Sequence, residues 1–196
     1  MSTRSRAVLL SAMVAASALT LSACGSGGTS GGGGDTNFVT GNNGIDTAPQ
    51  GKRAAAPDLS GRTIDGKTLD VADYKGKVVV VNVWGSWCGP CRAEGKNFAK
   101  VSKDYADQGV QFVGINTRDT STTPAVNFEK EQDITYPSLY DPTGRLMLRF
   151  KKGTLNPQLI PSTLVLDRQG RIAARALQAL SEDDLVKMIK PVVAEK

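Results

Sequence analysis

Residues Lys77 to Trp84 read Lys-Val-Val-Val-Val-Asn-Val-Trp, and Trp87-Cys88-Gly89-Pro90-Cys91 follows almost at once. A near-continuous β-branched run of this kind is a central strand buried on both faces. Arg92 to Gln108 then sets Phe98, Val101 and Tyr105 at spacings of three and four, an amphipathic helix that Gly109 stops. The two cysteines are therefore held between a buried strand and a helix N-terminus. A cysteine there faces unpaired backbone N–H groups and the positive end of the helix dipole, and both favour thiolate over thiol. The thiolate is the attacking species in disulfide exchange. Gly89 allows the tight turn, Pro90 fixes φ where its missing N–H does no harm, and Cys91 falls one turn into the helix.

Competing chemistries fail on residue count. A structural zinc site needs four ligands, and the chain has one CxxC and no histidine, so no metal is expected. Covalent haem attachment needs histidine after the second cysteine, where Arg92 stands. A purely structural disulfide could use this spacing but would not need the strand–CxxC–helix placement. The absence of histidine also removes His-based triads and imidazole general bases.

The remaining chain alternates strand and helix signals. Gly61 to Tyr74 carries Asp65-Gly66 between Ile64 and Leu69, a small β-hairpin. Val110 to Asn116 is a strand, and Thr123-Pro124 opens a helix running to about Gln132. Ser138 to Tyr140 is a short strand, Asp141 to Gly144 a turn, and Leu146 to Phe150 a short helix. Thr163 to Asp167 and Arg171 to Leu177 are two strands about a turn. Ser181 caps the last helix, with Glu182, Asp183 and Asp184 in its first turn, and Pro191 is expected to end or kink it. This order predicts one α/β layered domain over residues 56–196 with an added antiparallel hairpin.

The N-terminus reads as an address and a tether. Met1 to Arg6 carries two arginines and no acid, and Ala7 to Leu21 is mostly apolar but short for a membrane span. Leu21-Ser22-Ala23-Cys24 resembles the lipobox of bacterial lipoproteins, which implies a signal peptide over residues 1–23 and lipid on Cys24. Diacylation would hold the protein on a membrane surface, outside the cytoplasm, where disulfides persist. Seven of the ten residues 25–34 are glycine, and Phe38, Val39 and Ile45 are the only sizeable apolar residues before Ala56. Residues 24–55 are therefore expected to form a flexible tether of roughly 30 Å reach. The formal charge is +5. Without Arg4 and Arg6 it falls to 22 basic against 19 acidic residues, well mixed, which does not point to nucleic acid.

The stretch Trp84-Gly85-Ser86-Trp87-Cys88-Gly89-Pro90-Cys91-Arg92-Ala93-Glu94 resembles the active site of the TlpA/ResA-like thioredoxin family. The likeness continues through Ala56-Pro57-Asp58, Lys75-Gly76-Lys77 and Ile160-Pro161-Ser162-Thr163-Leu164-Val165-Leu166-Asp167. It implies a thioredoxin fold with an N-terminal β-hairpin extension and a central mixed sheet flanked by helices. It also implies an exported, membrane-tethered thiol–disulfide oxidoreductase on the outer face of the bacterial cytoplasmic membrane. Carried over position by position, Cys88 is the exposed nucleophile and Cys91 resolves the mixed disulfide, so the redox group is the cysteine pair with no added cofactor. Pro161 matches the family's cis-proline, orienting substrate against the Ile160 backbone. Trp87, Gly89 and Pro90 complete the substrate-facing surface, and Trp87 covers the disulfide. Glu94 either serves proton transfer or is a solvated glutamate near the helix start. Asn82 stands where cytoplasmic thioredoxins carry a buried aspartate, which adds weight to Glu94.

The chain also departs from the pattern. Lys96 replaces a common proline, Gly95 weakens the helix by nearly 1 kcal/mol relative to alanine, and Lys151 to Leu159 is unlike its counterparts. The expected partners are protein thiols and disulfides, including apocytochrome c, together with a membrane electron-donor or acceptor protein. The Gly89-Pro90 dipeptide resembles reducing thioredoxins, which favours a reductant; the compartment favours a disulfide oxidase for exported proteins. A tethered redox sensor that only binds partners is the non-enzymatic alternative.

Overall fold

The computed structural model describes residues 36–195. The expected signal peptide, Cys24 and the glycine run lie outside them. Among the described residues nine strands and four α-helices follow in the order β1 (Val39–Thr40), β2 (Ile45–Thr47), β3 (Ser60–Arg62), β4 (Thr68–Asp70), β5 (Val78–Trp84), α1 (Gly89–Asp104), β6 (Val110–Thr117), α2 (Thr122–Glu131), β7 (Ser138–Asp141), α3 (Arg145–Leu148), β8 (Ser162–Leu166), β9 (Ile172–Ala176) and α4 (Glu182–Val193). Seven strands form one mixed sheet in the order β1-β2-β9-β8-β5-β6-β7. β5, β6 and β7 run parallel, and β8, β9, β2 and β1 continue antiparallel from the other side of β5.

The two-residue period of β5 sorts the core. Val79, Val81 and Val83 face one layer, packed with Leu59, Leu139, Met147 and Phe150. Val78 and Val80 face the other, against Phe98 and Val101 of α1 and Leu185, Met188 and Ile189 of α4. Asn82 lies on this second face by the same period. Each large side chain buried in these layers contributes roughly 1.5–3 kcal/mol.

The hairpin β3–β4 is a separate two-stranded unit. Gly66 takes φ 84° in its turn, a left-handed value that glycine adopts without strain. The hairpin docks on β7 through a Thr63–Leu139 bridge and the Ile64 N–H to the Ser138 carbonyl at 2.9 Å.

Three expectations change in detail. The segment before Ala56 is not free tether throughout: β2 pairs with β9, Phe38 and Ala48 are buried, and Asp46 forms an ion pair with Arg175 at 2.8 Å. A few apolar residues suffice because the sheet edge supplies hydrogen bonds and Arg175 supplies a charge and a cation–π contact, 4.4 Å from the Phe38 ring. Helix α2 starts at Thr122 after Ser121, which places Pro124 third in the helix instead of first. Helix α4 runs through Pro191 to Val193, with Pro191 on its exposed side.

Candidate active site

Cys88 is the N-cap of α1, with extended backbone at φ −86° and ψ 110°. The Cys91 N–H donates to Cys88 Sγ at 3.2 Å, which satisfies one of the unpaired donors of the helix start with sulfur. The two sulfurs are joined, S–S 2.07 Å, with the Cα atoms 5.2 Å apart. Cys88 is 4% exposed and Cys91 1%. The expected exposed nucleophile is thus only the less buried of two covered sulfurs, because Trp84, Ala125, Phe128 and Ile64 pack with both in one apolar cluster.

Pro161 follows a cis peptide bond from Ile160. The Ile160 carbonyl oxygen lies 3.8 Å from Cys88 Sγ, so the loop before β8 flanks the disulfide. Gly89 and Pro90 are exposed beside it, as is Leu159. Trp87 is 51% exposed. Its ring lies under the Arg118 guanidinium at 4.6 Å, and a Cβ on Gly85 would come within 2.7 Å of its Nε1. The indole is therefore held between Gly85 and Arg118 with half its surface outward. Trp84 is buried, stacked on Phe128 at 4.4 Å.

Glu94 is 2% exposed and not a solvated residue of the helix start. It occupies the stripe of Cys91, Phe98 and Val101 that α1 turns inward. Its carboxylate accepts from Asn82 Nδ2 at 2.9 Å and from the Leu180 N–H at 2.9 Å. Asn82 Nδ2 also donates to Thr163 Oγ1 at 3.3 Å, on the strand that follows Pro161. Burial pushes the Glu94 carboxyl up to about 7, partly offset by its two donors. A group with that affinity can take a proton at neutral pH, one helical turn from Cys91 on the same face.

Sequence reasoning missed the residues that brace the cysteine loop. Asp119 accepts from the Ser86 N–H at 2.9 Å, from Ser86 Oγ at 2.5 Å and from Asn116 Nδ2 at 2.6 Å. Tyr140 donates its hydroxyl to the Asp119 carbonyl at 3.0 Å. Arg92 pairs with Glu131 and donates to the Ser86 carbonyl at 3.2 Å. The available signal was Asn116-Thr117-Arg118-Asp119, a polar run closing an otherwise apolar strand. A second buried carboxyl was also missed: Glu129 accepts from Ser138 Oγ at 2.6 Å and is raised to about 7 by burial. Among the described residues no cluster of side chains could hold a metal ion.

A mixed sheet with a cysteine pair at the N-terminus of its first long helix, faced by a cis-proline, defines a thiol–disulfide oxidoreductase of the thioredoxin fold. The chain belongs to the Redoxin family, whose model matches residues 49–189. It is 34% identical over 153 residues to the thiol:disulfide interchange protein HelX of Rhodobacter capsulatus, covering 78% of this chain and 81% of that one. A DsbF homologue from Corynebacterium diphtheriae superposes with a TM-score of 0.71 at 37% identity, covering 78% of this chain and 96% of that one. A secreted thiol-disulfide isomerase from Corynebacterium glutamicum superposes with a TM-score of 0.73 at 30% identity, covering 84% and 100%. Proteins named ResA are also among its relatives, so the resemblance read from the sequence stands. Among the described residues no helix is long and apolar enough to cross a membrane.

Proposed function

We propose that the protein reduces disulfides of exported polypeptides, apocytochrome c among them, while lipid on Cys24 anchors it outside the cytoplasm. The observation that carries the exchange chemistry is Cys88 Sγ at the helix start, accepting the Cys91 N–H at 3.2 Å. The anchor is supported by the Leu21-Ser22-Ala23-Cys24 motif, and the place outside the cytoplasm by the secreted relative. The direction is supported by the Gly89-Pro90 dipeptide.

In the reduced protein the Cys88 thiolate attacks one sulfur of the partner disulfide. The partner S–S bond breaks, its other sulfur leaves as thiolate, and Cys88 is joined to the partner. Cys91 then gives its proton to the Glu94 carboxylate and attacks Cys88 Sγ. The second partner sulfur leaves and is protonated, so the partner gains two electrons and the Cys88–Cys91 disulfide forms. Pro161 and the Ile160 backbone orient the partner chain, with Trp87, Gly89 and Pro90 as its apolar floor. A membrane electron-donor protein returns two electrons to the pair, and no further cofactor is needed.

One observation favours the opposite direction. A backbone N–H on Cys88 Sγ stabilises the thiolate, which stabilises the reduced form and makes the disulfide a stronger oxidant. The reduction potential of Cys88–Cys91 decides between the two: a value near reducing thioredoxin supports the reductant, and a much higher one the oxidase. Trapping with Cys91→Ser then captures the partners as mixed disulfides. Cys24→Ser is expected to release the protein from the membrane fraction; retention there would remove the lipid anchor.

A further inference from the structure

Arg118 stands out among the charged groups around the disulfide. It is a non-glycine residue with φ 61°, a left-handed conformation that persists only where the surroundings impose it. Its guanidinium is exposed and lies 4.6 Å over the ring of Trp87, the residue immediately before Cys88. Two neighbouring charged groups already have partners. Arg92 is paired with Glu131. Asp119 is turned inward, its carboxylate held by Ser86 and Asn116. Among the described residues no carboxylate lies within ion-pair distance of Arg118, whose guanidinium contacts Trp87. The left-handed backbone therefore presents an unmatched cation at the rim of the disulfide, on top of an exposed aromatic surface.

We infer that Arg118 reads a carboxylate on the incoming polypeptide, so that the protein selects disulfides flanked by an acidic residue. This rests on the reading that polypeptide disulfides are the substrates, but not on the direction of exchange. The exposed guanidinium is a planar fork that suits bidentate pairing with a carboxylate. Stacking on an aromatic ring also limits the entropy lost when the pair forms.

The test uses the full chain and two peptides of identical length, each with one disulfide, in which the residue beside one cysteine is aspartate or lysine. Exchange is followed both ways, as reduction of the disulfide peptides and as oxidation of their dithiol forms. The wild-type chain is expected to favour the aspartate peptide roughly fivefold in kcat/KM at low salt. That preference should shrink as ionic strength rises. Arg118→Gln should abolish it and Arg118→Glu should invert it. Arg118→Gly, which accepts the left-handed backbone without strain, should abolish it too and guards against a folding defect in the other variants. If Arg118 merely holds Trp87 in place, all three variants slow both peptides equally and the ratio stays at the wild-type value, which overturns the inference. Exchange in the oxidising direction alone would defeat the reductant reading while leaving the aspartate-to-lysine ratio to decide this one.

Discussion

The Asn82 side-chain amide donates to the Glu94 carboxylate at 2.9 Å, joining the central strand β5 to the first helix beneath the cysteine pair. Both residues are buried, and burial holds the Glu94 carboxyl at about 7. The folded state therefore keeps a proton that the unfolded chain, near its ordinary 4.5, has released. Stability from this group is full below about pH 4.5 and falls as pH rises through 7, by an amount on the order of 3 kcal/mol. Glu94→Gln should make the decline between pH 5 and 8 in denaturant midpoints shallower, leaving the share that Glu129 contributes. The same variant should slow resolution by Cys91 by roughly a hundredfold near neutrality. A wild-type midpoint that rises with pH over this window, or is unchanged by the substitution, would contradict the assignment.

Gly114 lies where β6 passes beneath Trp84. A Cβ there would fall 2.0 Å from Ser138 Oγ and 2.7 Å from Trp84 Nε1, atoms that are themselves in contact at 3.4 Å. Gly114→Ala is expected to cost about 3 kcal/mol, at the upper end for overpacking, and to disturb the Trp84 environment. Near-ultraviolet circular dichroism and urea unfolding read both effects.

Gly95 breaks the helix-propensity rule within α1, and packing explains why. A Cβ at this position would lie 2.7 Å from Gln132 Cγ at the end of α2. Gly95→Ala should therefore forgo the gain of nearly 1 kcal/mol that an open helix would show, and lower the melting temperature instead. A rise in Tm would mean that Gln132 moves aside at little cost.

Arg175 is a buried hub on β9. It pairs with Asp46 at 2.8 Å, donates to the Thr154 carbonyl at 3.0 Å and also reaches the Gly153 carbonyl. Asp46→Ala should cost about 3 kcal/mol by leaving a guanidinium without its carboxylate. Asp46→Ala combined with Arg175→Leu should recover part of that loss. An additive double variant in chemical denaturation would show the two residues to be uncoupled.

The pieces legible in the sequence are those governed by local periodicity and local chemistry. The valine run, the CxxC at the helix start, the Asp65-Gly66 turn and the Ser181 cap each announce themselves within a few residues. The cis bond before Pro161 came from the family resemblance. What stayed hidden depends on distant pairing. Glu94 looked ambiguous because its burial is created by Asn82 and Leu180, 12 and 86 residues away. Its place in the stripe with Cys91, Phe98 and Val101 was the signal available. Residues 36–55 looked like spacer because their ordering comes from hydrogen bonds to β9, near the other end of the chain. Arg118 and Asp119 carried no motif; only their placement beside Trp87 and Ser86 makes them part of the site.

The two-residue β1 at one margin of the sheet has a further consequence. Without β1 and β2, β9 would present an open row of backbone donors and acceptors to any neighbouring copy. The N-terminal segment closes that margin with a strand too short to template another chain, and the docked hairpin guards β7 at the opposite side. Both margins of the sheet thus offer little to a neighbouring copy that would pair edge to edge.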